Sequence, residues 1–195
     1  MDVYPLPPQL HNQPATIAAA VAAQADLLGD SYARIVIGYA DCGSYGALDG
    51  LCAARGWSRL PGLHCYDLYA GPSRIQDLLA EEPGTYLLTD FLVLAFDRLV
   101  VQSLGLDRYP ELRADYFGHY TRVVWLQTDP DLLPDAQAAA EVLGLPLVVE
   151  PVGLAGLDRA LGALFGPPAA PRGARAAPAG ASSSPPAEAT VPAPD

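Results

Sequence analysis

The sequence predicts one doubly wound α/β domain over residues 1–165, followed by a disordered tail rich in Pro, Ala and Ser over 166–195. Three observations predict it. Short apolar runs alternate with helical stretches of roughly ten to fifteen residues, the pattern of parallel strands joined by crossover helices. Each strand-like run ends in a short polar or reactive cluster, and open parallel sheets bind ligands outside the carboxyl ends of their strands. From Gly166 onward the chain is almost entirely Pro, Ala, Gly and Ser, which cannot bury enough apolar surface to offset the entropy of ordering. Together they describe a single Rossmann-like, mostly parallel sheet with helices on both faces.

The elements follow in order. Val3 to Leu6 is a short extended start that Pro7-Pro8 keeps from becoming helical. Asn12 caps a helix with Pro14 in its first turn, which runs through Ile17 and Val21 to Leu28 and ends at Gly29-Asp30. Ala33 to Ala40 reads as a buried strand, followed by the glycine-bracketed turn Asp41-Cys42-Gly43-Ser44-Tyr45-Gly46 and a helix from Ala47 to Arg55. Leu63 to Tyr66 fits a short strand after the Pro61-Gly62 turn. Pro72 opens a helix carrying Ile75 and Leu78, and Thr85 to Thr89 is a strand. Asp90 caps a long apolar helix ending at Gly105, and Pro110 starts another through Tyr116. Arg122 to Gln127 is the clearest late strand, and Asp129-Pro130 opens a helix to Leu143. Leu145 to Val149 and Leu154 to Phe165 complete the set as strand and helix.

Composition removes several function classes. The 195 residues carry 11 basic and 22 acidic side chains, a net charge of −11. A domain this acidic, with no basic run, does not track a phosphate backbone, so nucleic acid is not an expected partner. Every basic residue is Arg. Without Lys there is no Schiff-base chemistry, no lysine general base and no Walker-type phosphate loop. The start of the chain lacks the charged and apolar segments of a signal peptide, and no apolar run is long enough to span a bilayer. A cytoplasmic setting with three free thiols is the expectation.

The chemistry gathers at strand ends. Cys42 lies in a strand-to-helix turn. Cys65 and His64 lie on the next predicted strand, His11 precedes the first helix, and Thr89-Asp90 ends a third strand. Soft thiolates with imidazole suit zinc, iron or a cofactor metal, so His11, Cys42, His64 and Cys65 are candidate metal ligands, with Asp41 or Asp90 as oxygen donors. No Cys-x-x-Cys occurs, so such a site must be assembled from different strand ends. Neighbouring residues on a strand face opposite ways, so only one of His64 and Cys65 can join it. Cys42 is also a candidate nucleophile, since the helix N-terminus after it lowers a thiol pKa. Gly43, Ser44 and Gly46 could offer backbone N–H groups to an anionic ligand. The turn is not Gly-x-Gly-x-x-Gly, so a dinucleotide fingerprint is lacking. Cys52, within a helix beside Leu51, reads as a small apolar filler. The ligand expected is a small molecule or metallocofactor.

The motifs also carry a resemblance. They are Leu10-His11-Asn12 with Pro14, Tyr39-Ala40-Asp41-Cys42-Gly43, Pro61-Gly62-Leu63-His64-Cys65-Tyr66, and Ala70-Gly71. Further along come Glu82-Pro83-Gly84-Thr85 through Thr89-Asp90-Phe91-Leu92, Phe96-Asp97-Arg98-Leu99, Gly105-Leu106-Asp107-Arg108, Pro110-Glu111-Leu112, Tyr116-Phe117-Gly118 and Leu126-Gln127-Thr128-Asp129. Over roughly residues 5 to 160 the chain resembles the bacterial and archaeal family called domain of unknown function number 1638. The resemblance marks His11, Cys42, His64, Cys65, Thr89 and Asp90, with Thr89 and Asp90 as cofactor contacts. It implies no established reaction, and for some members a link to corrinoid-dependent methyl transfer. Members usually begin with a further strand and helix carrying a Cys-Gly-Ala motif, which this chain lacks. An absent strand implies an exposed sheet edge, open to a protein partner or a second copy of the chain.

Overall fold

The computed structural model describes residues 1–166; the predicted tail lies outside them, apart from Gly166. Five strands are present, β1 (Val36–Ile37), β2 (Ser58–Arg59), β3 (Thr85–Thr89), β4 (Arg122–Gln127) and β5 (Leu147–Pro151). Eight α-helices accompany them: α1 (Ile17–Leu28), α2 (Ala47–Arg55), α3 (Tyr66–Tyr69), α4 (Pro72–Glu81), α5 (Asp90–Leu94), α6 (Leu112–Phe117), α7 (Leu133–Leu143) and α8 (Ala155–Phe165).

The strands form two parallel sheets, where the sequence suggested one. One holds β1 and β2, and the other has the order β3-β4-β5. No residue of β1 or β2 pairs with β3, β4 or β5, and each sheet is parallel throughout.

β3 and β4 fall where the apolar runs placed them. Thr85 pairs with Arg122 and Thr89 with Leu126, and β4 is buried throughout its centre, with Val123, Val124, Trp125 and Leu126 all inaccessible. A run buried on both faces between two parallel neighbours is continuously apolar, which makes it easy to read. On one side of this sheet Leu88 and Trp125 pack with Leu92, Phe96, Leu99 and Ala139; on the other Leu87, Val124 and Leu126 pack with Ile75 and Leu78.

Three local expectations are corrected. The second strand is Ser58–Arg59, and Leu63–Cys65 is a turn. The Asp67 carboxylate accepts from the N–H groups of Leu63 (2.9 Å) and His64 (3.2 Å), taking donors a strand would use. The long helix after β3 is interrupted. Ala95 leaves helical geometry at φ −99°, ψ 7°, and Asp97–Gln102 winds as a π-helical turn. Asn12 Nδ2 donates to the Leu99 carbonyl at 2.8 Å, and a side chain inserted in the helical ladder is a known cause of such a break. Finally Thr89, not Asp90, caps α5, its hydroxyl accepting from Leu92 N–H. Among the described residues no helix is long and apolar enough to cross a membrane.

Candidate functional site

The β1–β2 ladder continues past its short strands into the loops that follow. Leu60 N–H donates to Ile37 O (3.0 Å), Asp41 N–H to Gly62 O (3.1 Å) and Cys42 N–H to Leu63 O (2.8 Å). These bonds fix the Cys42 loop beside the Cys65 loop at the carboxyl ends of both strands.

Each loop is held by its own carboxylate. Asp41 accepts from Ser44 Oγ (2.7 Å), Gly46 N–H (2.9 Å) and Tyr45 N–H (3.1 Å). The Gly46 N–H, then the Ser44 hydroxyl, hold its pKa below the usual carboxylate value. Asp67 fastens the second loop as described, and Arg59 adds a bond to Leu60 O (2.7 Å) while gripping Asp49 of α2 through two nitrogens. Glycine is needed once in each loop. Gly43 has φ +82° with Pro14 against it, where a Cβ would come within 3.2 Å; Gly62 has φ +98° with Asp67 against it, where a Cβ would meet 3.1 Å. Cys42 itself adopts φ +49° and Tyr45 φ +51°. Such a conformation costs a side-chain-bearing residue roughly 1–3 kcal/mol and clusters at functional sites.

A continued ladder would set Cys42 opposite His64. Cys42 instead takes a left-handed turn, and Cys65 takes helical backbone (φ −58°, ψ −29°) at the start of α3, one residue beyond that register. The Cys65 side chain and the Cys65 N–H favour the Cys42 thiolate. The Cys42 pKa falls from 9.0 to about 7, chiefly through the Cys65 side chain, against burial and the Asp41 charge, which oppose it. Cys65 is pushed up by the same interaction and by burial. The pair loses one proton near neutrality and retains the other. The N–H groups at the start of α2, expected to act on Cys42, are taken by Asp41 and Ser44: Gly46 donates to Asp41, and Ala47 and Leu48 donate to Ser44. All three cysteines are free thiols; Cys52 is buried against Ile17, Val21 and Leu48, and burial raises its pKa.

Three tyrosines surround the pair. Tyr39 is raised by burial and by Cys42, Tyr69 by burial, Cys65 and Asp90, and Tyr66 by burial and then Cys65. They remain neutral phenols at physiological pH, and Tyr66 donates to Leu87 O at 3.4 Å, tying the thiol site to β3. Sequence reasoning gave Tyr39, Tyr66, Tyr69 and Asp67 no part in the site. The signal available for the loops was spacing, since Asp41-x-x-Ser44 is a turn-capping pattern.

The other predicted residues are placed differently. The N–H groups of Tyr45 and Gly46 are satisfied by Asp41, so the Gly43–Gly46 turn cradles its own carboxylate. Asp90 accepts from Trp125 Nε1 (2.7 Å), Asp129 N–H (2.9 Å), Thr128 N–H (3.2 Å) and the Thr128 hydroxyl, joining the carboxyl ends of β3 and β4. Thr89 is buried as the α5 cap. His64 is exposed, its ring 6.3 Å from that of Tyr66. His11 is exposed as a residue, yet its imidazole is shielded enough for desolvation to lower its pKa. Neither histidine hydrogen-bonds a cysteine among the described residues, and no three His, Cys, Asp or Glu side chains there converge as metal ligands.

Fold and site together define a parallel α/β protein with two hydrogen-bonded, cysteine-bearing loops at its strand ends. The chain belongs to the family described as protein of unknown function DUF1638, whose model matches residues 5–161. No curated protein and no solved structure matches it.

Proposed function

We propose that the protein performs cysteine chemistry, with Cys42 as the nucleophile and Cys65 as the group that stabilises its thiolate. The observation that carries this reading is the pairing of two thiols 23 positions apart by hydrogen-bonded loops, with Cys42 lowered to about 7. A thiol of that pKa is about half ionised at neutral pH, where thiolate fraction and nucleophilicity are jointly favourable. Cys65 keeps its own proton and stabilises the thiolate as a neutral neighbour, and the Cys42 proton leaves to solvent. The neutral tyrosines exclude water from one side and can donate to developing negative charge.

The test is iodoacetamide alkylation followed by peptide mapping across pH. Cys42 is expected to react with a midpoint of about pH 7 and Cys52 not at all in the folded protein. A midpoint near 9.0, or equal labelling of Cys42 and Cys52, contradicts the proposal.

A second reading is favoured by the same proximity. Two adjacent sulfurs form half of a soft tetrahedral site, and a zinc or iron ion or a corrinoid could bind there with further ligands from a substrate or partner. This keeps a link to corrinoid-dependent methyl transfer open to experiment. Metal analysis of untagged protein, native against Cys42→Ala and Cys65→Ala, separates the readings. Stoichiometric metal in the native protein alone supports the second; no metal even after anaerobic reconstitution removes it.

A further inference from the structure

We infer that Cys42 and Cys65 form a thiol–disulfide exchange pair whose substrates are small disulfides, Cys42 attacking and Cys65 resolving. This rests on the nucleophile reading and adds a substrate class and a second role.

Resolution requires that the two cysteines can bond to each other without rebuilding the backbone. A disulfide needs Cα atoms about 4.4–6.8 Å apart, and adjacent strands lie about 4.7–4.9 Å apart. The bond from Cys42 N–H to Leu63 O holds the two loops at ladder separation, which sets the Cys42 backbone within about one residue of register with Cys65. Asp41 and Asp67 fasten the loops on either side, so the approach is built in. Both residues are only partly buried, while Cys52, sealed in packing, is not. A second thiol held on the neighbouring loop is the arrangement in which a mixed disulfide is short-lived.

The reaction balances with the substrate as oxidant. The Cys42 thiolate attacks one sulfur of R–S–S–R, forming a Cys42–S–S–R mixed disulfide and releasing one R–S⁻. Cys65 then gives up its proton and attacks the Cys42 sulfur, forming the Cys42–Cys65 disulfide and releasing the second R–S⁻. The two protons of the dithiol end on the two leaving thiolates. The protein loses two electrons and the substrate gains them; a dithiol reductant reverses the cycle.

The experiment treats the full chain with cystamine, a cationic disulfide suited to a chain of net charge −11, then quenches with acid and maps peptides without reduction. The expected product is a Cys42–Cys65 disulfide with both halves of cystamine released. In Cys65→Ser and in Cys65→Ala the reaction is expected to stop at a cysteamine adduct on Cys42; two variants guard against one that folds poorly. Dithiothreitol should restore both thiols in the native chain. A cysteamine adduct that persists on native Cys42 overturns the exchange pair and leaves the nucleophile reading standing. No modification of Cys42 overturns both.

Discussion

The β3–β4–β5 sheet is ordered by burial, whereas the β1–β2 half is ordered by carboxylates. In the first, a continuous apolar strand runs through the centre and every side chain of its middle is inaccessible. In the second, each strand has two residues, and polar bonds from Asp41, Asp67 and Arg59 hold the loops that the ladder leaves loose. The candidate chemistry lies entirely in the second half. The difference teaches a division of labour: a sheet with enough buried area to be stable carries a weaker neighbour whose backbone tolerates positive φ at Cys42 and Tyr45, and strained, locally stabilised segments are where function concentrates.

Variants can break or sharpen this contrast. The largest effect is expected for Trp125→Ala, which empties the centre of β4 and should cost about 3–5 kcal/mol in denaturant unfolding, with Cys42 alkylation of the still-folded protein unchanged. A shifted alkylation profile would mean that the halves are not separable. Next is Asp90→Ala, which leaves Trp125 Nε1 and two backbone N–H groups at the β4 end without their acceptor, at about 1–3 kcal/mol; a loss below a few tenths would deny Asp90 its structural role. Asp41→Ala should cost less, about 0.5–2 kcal/mol as for a lost cap, but its main signature is local. Amide exchange at Tyr45 and Gly46 should accelerate while amides of β4 keep their protection, and uniform acceleration would contradict the carboxylate account.

Acidity gives a slope. The folded pKa of Cys42 is depressed from 9.0 to about 7, so its contribution to stability is complete above 9.0 and is lost as pH falls through 7. Cys65 is raised, so its contribution is complete below 9.0 and is lost above it. Unfolding free energy should therefore rise between pH 7 and 9 and decline beyond, where Tyr66 and Tyr86, raised mainly by burial, add to the fall. Cys42→Ser should flatten the rise; an unchanged slope would remove the thiol as its source.

Much of the C-terminal sheet was legible because burial on both faces writes itself as an unbroken apolar run, as in Arg122–Gln127. β2 was not, since Ser58 and Arg59 lie on a short edge and carry no pattern. The break after Leu94 escaped notice because no Gly or Pro marks it in the sequence. At the site, Cys42 and Cys65 were singled out from their positions near strand ends, while the choice between His64 and Cys65 rested on a strand that is a turn in the structure. The source of the Cys42 acidity was not legible. It depends on a neighbour fixed by ladder register, whereas the helix N-terminus named from local sequence is already capped by Asp41.

The central claim is that Cys65, and no helix or histidine, makes Cys42 acidic. Thiolate ultraviolet absorbance titrated against pH, in the native chain beside Cys65→Ala, tests it most directly. The account predicts a transition at about pH 7 that disappears in Cys42→Ser and moves toward 9 in Cys65→Ala. A transition near 7 that survives loss of Cys65 would contradict it.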